Sequence, residues 1–112
     1  MASGPINSLY VLENIAVTKA TNKIPSGDYD FRVTRCGNVV QIVGWFHNTT
    51  QIAENETLFT FTNIGLSGND GFCSVVKGSN VGVCEYSTTS FISRSTLATG
   101  YWNLTTVHIF TN

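Results

Sequence analysis

Charged side chains are scarce: Asp, Glu, Lys and Arg together make up 12% of the 112 residues and sum to a net charge of −1, against about 25% charged residues in an ordinary soluble domain. Thr, Asn and Ser fill the deficit, so the expected surface is polar but uncharged. Lys and Arg occur singly. They build no basic stripe of the kind that neutralises phosphates, and no RNA- or DNA-reading motif is present, which argues against a nucleic-acid partner. No apolar run approaches the roughly 20 residues that cross a bilayer as a helix, so membrane insertion is not expected. The opening MASGPINS lacks both a basic n-region and an apolar h-region and does not read as an export signal. Short, small and turn-rich, residues 1–8 are expected to be a linker or an expression remnant. Residues 9–112 are then one domain, the terminal piece of a longer polypeptide.

Groups for chemistry are equally thin. His47 and His108 are the only histidines, and neither stands at a metal-ligand spacing with Cys, Asp or Glu, so no metal or other cofactor is expected. A nucleophile elbow of the G-x-S-x-G kind is absent. Glycoside cleavage would need two carboxylates from among Asp28, Asp30, Glu54, Glu56, Asp70 and Glu85, and nothing in the sequence pairs them. The chain reads as non-enzymatic.

What is present is β-structure. Tyr29 to His47 reads YDFRVTRCGNVVQIVGWFH, two β-rich runs around Gly37-Asn38, and a two-residue Gly-Asn connection between such runs marks a hairpin. The register then sets Cys36 opposite Val39, Val33 opposite Ile42, Phe31 opposite Gly44 and Asp30 opposite Trp45. Phe31, Val33, Val40 and Ile42 share the core face. The other face carries Asp30, Arg32, Thr34, Gln41, Val43 and Trp45, and is too apolar at Val43 and Trp45 to be left simply in water. Either a subunit contact or the segment Leu9 to Lys19 folded back over the sheet should cover it.

That segment has both helical and extended spacings and is read as strand. Pro25-Ser26-Gly27-Asp28 marks a turn, Asn48 to Glu56 a polar loop, and Thr57 to Ile64 a strand with Phe59 and Phe61 on one side. A second hairpin spans Phe72 to Tyr86 around a type II′ Gly78-Ser79 loop, pairing Val76 with Val81 and Cys73 with Cys84. Phe91-Ile92 is a short strand, and Tyr101 to Phe110 a terminal strand apolar on both faces. Short strands between Gly, Asn and Ser turns predict an all-β antiparallel sandwich.

Three cysteines cannot all pair within one chain. Cys73 and Cys84 fall opposite each other in a hydrogen-bonded position, the wider of the two kinds, which accommodates a disulfide less easily. Free thiols are the expectation.

The string Val33-Thr-Arg-Cys-Gly-Asn-Val-Val-Gln-Ile-Val-Gly44, the loop Ile52-Ala53-Glu54-Asn55, the Phe-rich strand after it and the closing Gly100-Tyr-Trp-Asn-Leu-Thr-Thr resemble the C-terminal head domains of bacteriophage tail-fibre and receptor-binding proteins. Such heads often carry a V-x-R-x-G-N-x-V-x-(L/I)-x-G hairpin. The resemblance covers the chain in outline from Tyr29 onward and is sharp only in the hairpin; the prolines that such heads carry in their middle strands are missing between Phe61 and Gly71. It implies a jelly-roll-like sandwich, a homotrimer about a fibre axis with a stem or other tail proteins upstream, and binding of a host cell-surface saccharide without chemistry. The location implied is the tail tip of a virion assembled in the bacterial cytoplasm.

Aromatic groups near strand ends suit that role, since sugar C–H faces stack on rings and hydroxyls need paired donors and acceptors. Trp45, Phe46 and His47 at the mouth of the first hairpin, with Tyr101 and Trp102 opening the last strand, are the candidate rings. Asp70, Glu85, Asn69 and Arg94 are the candidate polar partners. Core or interface packing is the competing role for both tryptophans. Three sequons, at Asn48, Asn55 and Asn103, mark a different class: an extracellular protein-interaction module of immunoglobulin-like or TNF/C1q-like type.

Overall fold

The computed structural model describes residues 12–65 and 70–110, which contain ten strands and, among the described residues, no helix. In chain order these are β1 (Leu12–Ile15), β2 (Val17–Lys19), β3 (Tyr29–Cys36), β4 (Val39–Asn48), β5 (Thr57–Phe61), β6 (Gly71–Lys77), β7 (Asn80–Tyr86), β8 (Ser90–Ser93), β9 (Gly100–Leu104) and β10 (Val107–Phe110). Their pairings are all antiparallel, so the chain is all-β. The expected linker, residues 1–8, and the first part of the 9–19 segment lie outside the described residues.

Both hairpins keep the register that their turns dictate. Val33 faces Ile42 and Asp30 faces Trp45 in β3–β4, while Val76 faces Val81 and Cys73 faces Cys84 in β6–β7. Gly37 and Gly78 have φ of 61° and 60°, with no positive φ at Asn38 or Ser79, the type II′ pattern whose twist matches the flanking strands. Phe31, Val33, Val40 and Ile42 are all buried. Gly44 opposes Phe31 in a conformation, φ 141°, that side chains avoid, and a Cβ there would lie 1.7 Å from the Asp30 carbonyl oxygen.

The strands run β1-β3-β4-β9-β6-β7-β8-β5-β2 in one sheet, with β10 also on β4. Only Ala16 separates β1 from β2, yet β1 bonds to β3 at one end of this order and β2 to β5 at the other. One bent segment therefore joins both edges, and the sheet curls on itself like a barrel. Its opposed walls enclose the core as the two layers of a sandwich would. Because residues 12–19 are spent on these edges, they do not fold over Val43 and Trp45.

Two register shifts place the core. Trp45 faces Asn103 on β9, whereas Ile42 faces Val107 on β10, a shift of one residue across Thr105-Thr106. A one-residue shift exchanges the faces of a strand, so Trp102 and Leu104 before the break and Ile109 after it all point inward and are buried. The expected continuous terminal strand is thus two strands. A bulge at Leu58 works the same way on β5, letting the adjacent Leu58 and Phe59 both be fully buried. Phe59 lies at the centre of the aromatic core, with Phe31 stacked on it at 4.3 Å, Tyr29 at 5.1 Å and Phe46 edge-on at 6.2 Å.

Candidate functional site

Along β4, Ile42 and Phe46 point into the core, so Val43, Trp45 and His47 point outward. On the neighbouring β9 the register puts Tyr101 opposite His47 and Asn103 opposite Trp45. Tyr101 is 58% exposed, and the His47 ring lies flat on it, with centroids 4.1 Å apart and planes 7° apart. The Trp45 ring stands 5.9 Å from Tyr101 and is tilted by 46°. These two rings form a shallow wedge in which Tyr101 is exposed and Trp45 half-buried.

The wedge is held from the far side. His47 Nδ1 lies 2.9 Å from Asp28 Oδ2, and the His47 backbone N–H donates to the Asp28 carbonyl at 2.9 Å. A carboxylate only accepts, so this contact places a proton on Nδ1 and leaves Nε2 as the ring's other polar atom. Both side chains are partly exposed, 24% for His47 and 40% for Asp28. Next along this face, Arg32 donates to both oxygens of Asp30 at 2.7 and 2.9 Å. That hydrogen bonding, opposed by burial and helped to a lesser degree by the guanidinium's charge, holds the Asp30 carboxyl below its ordinary range. The pair is exposed and adds little stability.

The row Asp30, Trp45, Asn103, Val76 and Val81 runs outward-facing across β3, β4, β9, β6 and β7. It turns apolar on the second hairpin, where Phe72, Val81 and Val83 are 64%, 66% and 40% exposed.

The other candidates are elsewhere. Trp102 is 3% exposed, with its indole N–H donating to the Ala98 carbonyl at 2.9 Å. It belongs to the core and cannot serve as a stacking platform. Phe46 is likewise fully buried. Glu85 and Arg94 form a separate clamp in which Arg94 donates to Glu85 Oε1 at 2.6 Å and to Asn55 Oδ1 at 2.7 Å. Asn55 has a left-handed φ of 70°, so Arg94 fixes a turn there. This clamp lies two to three strands across the sheet from Tyr101 and is displaced along the strands as well. Asp70 is exposed immediately before β6; Asn69 lies outside the described residues. His108 faces Gln41 at 3.3 Å on the lower half of β4, away from the wedge.

Of the sequons, Asn48 is fully buried, and its side-chain N–H group donates to the carbonyls of Thr50 and Ala98 at 3.0 and 3.1 Å. The folded chain cannot carry a glycan there. Asp28 stood in the sequence only as a turn residue and one of six unpaired carboxylates, although the register of the first hairpin, carried one step beyond Tyr29, already pairs it with His47.

Fold and site together define an all-β antiparallel domain whose outer face bears an aromatic wedge beside an exposed apolar surface. Compared with protein-family models, curated proteins and solved structures, the chain finds no match.

Proposed function

We propose that this domain is the receptor-binding head of a phage tail fibre or baseplate, a non-catalytic module that binds a bacterial cell-surface saccharide as a homotrimer. The observation that carries the reading is the half-exposed Tyr101 ring, backed by His47 at 4.1 Å and flanked by Trp45 at 5.9 Å. A sugar ring stacks its C–H face on such a surface, while its hydroxyls bond to the Asp28 carboxylate and His47 Nε2. Asp28 also fixes the imidazole before any ligand arrives, which lowers the ordering cost of binding. The exposed Phe72, Val81 and Val83 support the trimer, because closed symmetry covers an apolar face without building open filaments. A stem or other tail proteins upstream would carry the trimer, and the location follows: the virion tail tip, assembled in the bacterial cytoplasm and acting outside.

The same apolar face favours a second reading, an extracellular protein-interaction module of immunoglobulin-like or TNF/C1q-like type. Adhesion separates the two. Binding of the domain to purified bacterial surface polysaccharide is expected, and it should survive a rise to ~0.5 M salt, over which a contact made by several phosphates weakens by orders of magnitude. Loss of binding on Tyr101→Ala with the fold intact supports the saccharide reading. Binding only to proteins, or unchanged polysaccharide binding by Tyr101→Ala, contradicts it.

A further inference from the structure

The second hairpin holds a feature that saccharide binding does not use. Cys73 and Cys84 are directly opposed on β6 and β7 and both face inward: Cys84 is fully buried in the core and Cys73 packs against it. Neither is bridged. Opposed hydrogen-bonded positions place Cα atoms about 5.5 Å apart, inside the 4.4–6.8 Å that a disulfide spans. The β-carbons, which a hydrogen-bonded pair holds farther apart than the roughly 3.5–4.5 Å of a disulfide, must draw closer for the bond to close.

We propose that Cys73 and Cys84 are a modification site, a cross-strand disulfide that closes when the protein leaves a reducing compartment for a medium containing a small-molecule disulfide such as oxidised glutathione. Cys73 is the attacking group, because it is the more accessible of the two. Its thiol gives a proton to solvent, and the thiolate attacks one sulfur of the small disulfide, forming a mixed disulfide and releasing one thiolate. Cys84 then loses its proton and attacks Cys73 Sγ. The second small thiol leaves. Two protein thiols are oxidised and one small disulfide is reduced to two thiols, so atoms and electrons balance.

Burial sets the rate of this exchange. It pushes the Cys73 thiol up to about 11 and raises Cys84 further, with the charge of Cys73 adding to the effect. Little thiolate exists at neutral pH, so closure is slow there and accelerates with rising pH. On the proposed function, which this timing rests on, a reducing cytoplasm keeps the pair open during assembly and the link forms afterwards. Once made, it ties β6 to β7 beneath the exposed Phe72, Val81 and Val83 and restricts the unfolded chain.

The test uses the full chain in a buffer of reduced and oxidised glutathione at pH 8, quenched with acid and digested without reduction. The expected result is one internal Cys73–Cys84 link in the peptide masses, a melting temperature raised by roughly 5 °C or more, and full reversal by dithiothreitol. Cys36→Ser should leave all three unchanged. Cys84→Ala should abolish the link, and Cys73→Ser provides the same control if Cys84→Ala fails to fold. Glutathione adducts on Cys73 that never resolve, links through Cys36, or thiols that stay unbridged in the folded chain would each overturn the proposal.

Discussion

Tyr101 and Trp102 are neighbours in sequence and opposites in role. Adjacent residues on a strand face opposite sides, so one ring had to be inside and the other outside, but which was which depended on the register of β9 against β4. That register comes from a pairing of residues more than fifty positions apart, invisible to local patterning. The two positions should therefore respond differently. Trp102→Ala should cost about 3–5 kcal/mol in denaturant unfolding through lost burial and a cavity, whereas Tyr101→Ala should cost less than about 1 kcal/mol. Equal losses would show that the inward and outward faces of β9 are misassigned. A second residue-scale prediction concerns Glu56. Its burial opposes ionisation, but hydrogen bonds from Lys23, Thr21 and the Ala53 amide, with the charge of Lys23, outweigh that and hold its carboxyl below the ordinary value of 4.5. A carboxyl with a lowered folded value stabilises the fold above about pH 4.5 and loses that contribution as pH falls through the lowered value. Glu56→Gln should accordingly flatten the decline in stability between about pH 5 and pH 3. An unchanged slope by thermal unfolding across that range would contradict the assignment.

At the scale of elements, the two hairpins were legible because each is closed by a two-residue turn beginning with glycine, which sets the register of every pair behind it. Ile42 is fully buried on the core face of β4 and Thr34 lies on the other face of β3, so Ile42→Ala should cost about 2–5 kcal/mol and Thr34→Ala much less. Gly44→Ala is the sharper probe. It puts a methyl group into the Asp30 carbonyl at a backbone angle side chains avoid, and a loss on the order of 3 kcal/mol in chemical denaturation is expected. A variant as stable as the parent would mean that β4 does not pass Phe31 as described. The bend at Ala16, the bulge at Leu58 and the break at Thr105-Thr106 were not legible. Each exists to satisfy partners far away in sequence, and each leaves only a weak local trace, such as a terminal segment that reads as apolar on both faces.

For the whole molecule, the candidate site divides in the same way. Trp45 and His47 come from the legible hairpin, and the register that places them also reaches Asp28. Tyr101 joined them only through the return of the chain at β9, while Glu85 and Arg94, equally plausible by residue type, turned out to fix the Asn55 turn. The apolar face on β6–β7 carries the assembly claim. If that face is the trimer contact, Val81→Ser is expected to lower the mass seen by light scattering to that of one chain while the β-rich circular dichroism persists, because it would put a polar group where the apolar contact forms. A parent protein that is already a monomer at every concentration would remove the trimer. The most direct measurement for the binding claim is a nuclear magnetic resonance titration of the isotope-labelled domain with purified bacterial surface oligosaccharides. Shifts concentrated at Tyr101, His47, Trp45 and Asp28 are expected, with Trp102 and the Arg94 clamp undisturbed. Shifts centred on the clamp, or on Phe72, Val81 and Val83 with the aromatic wedge silent, would contradict it.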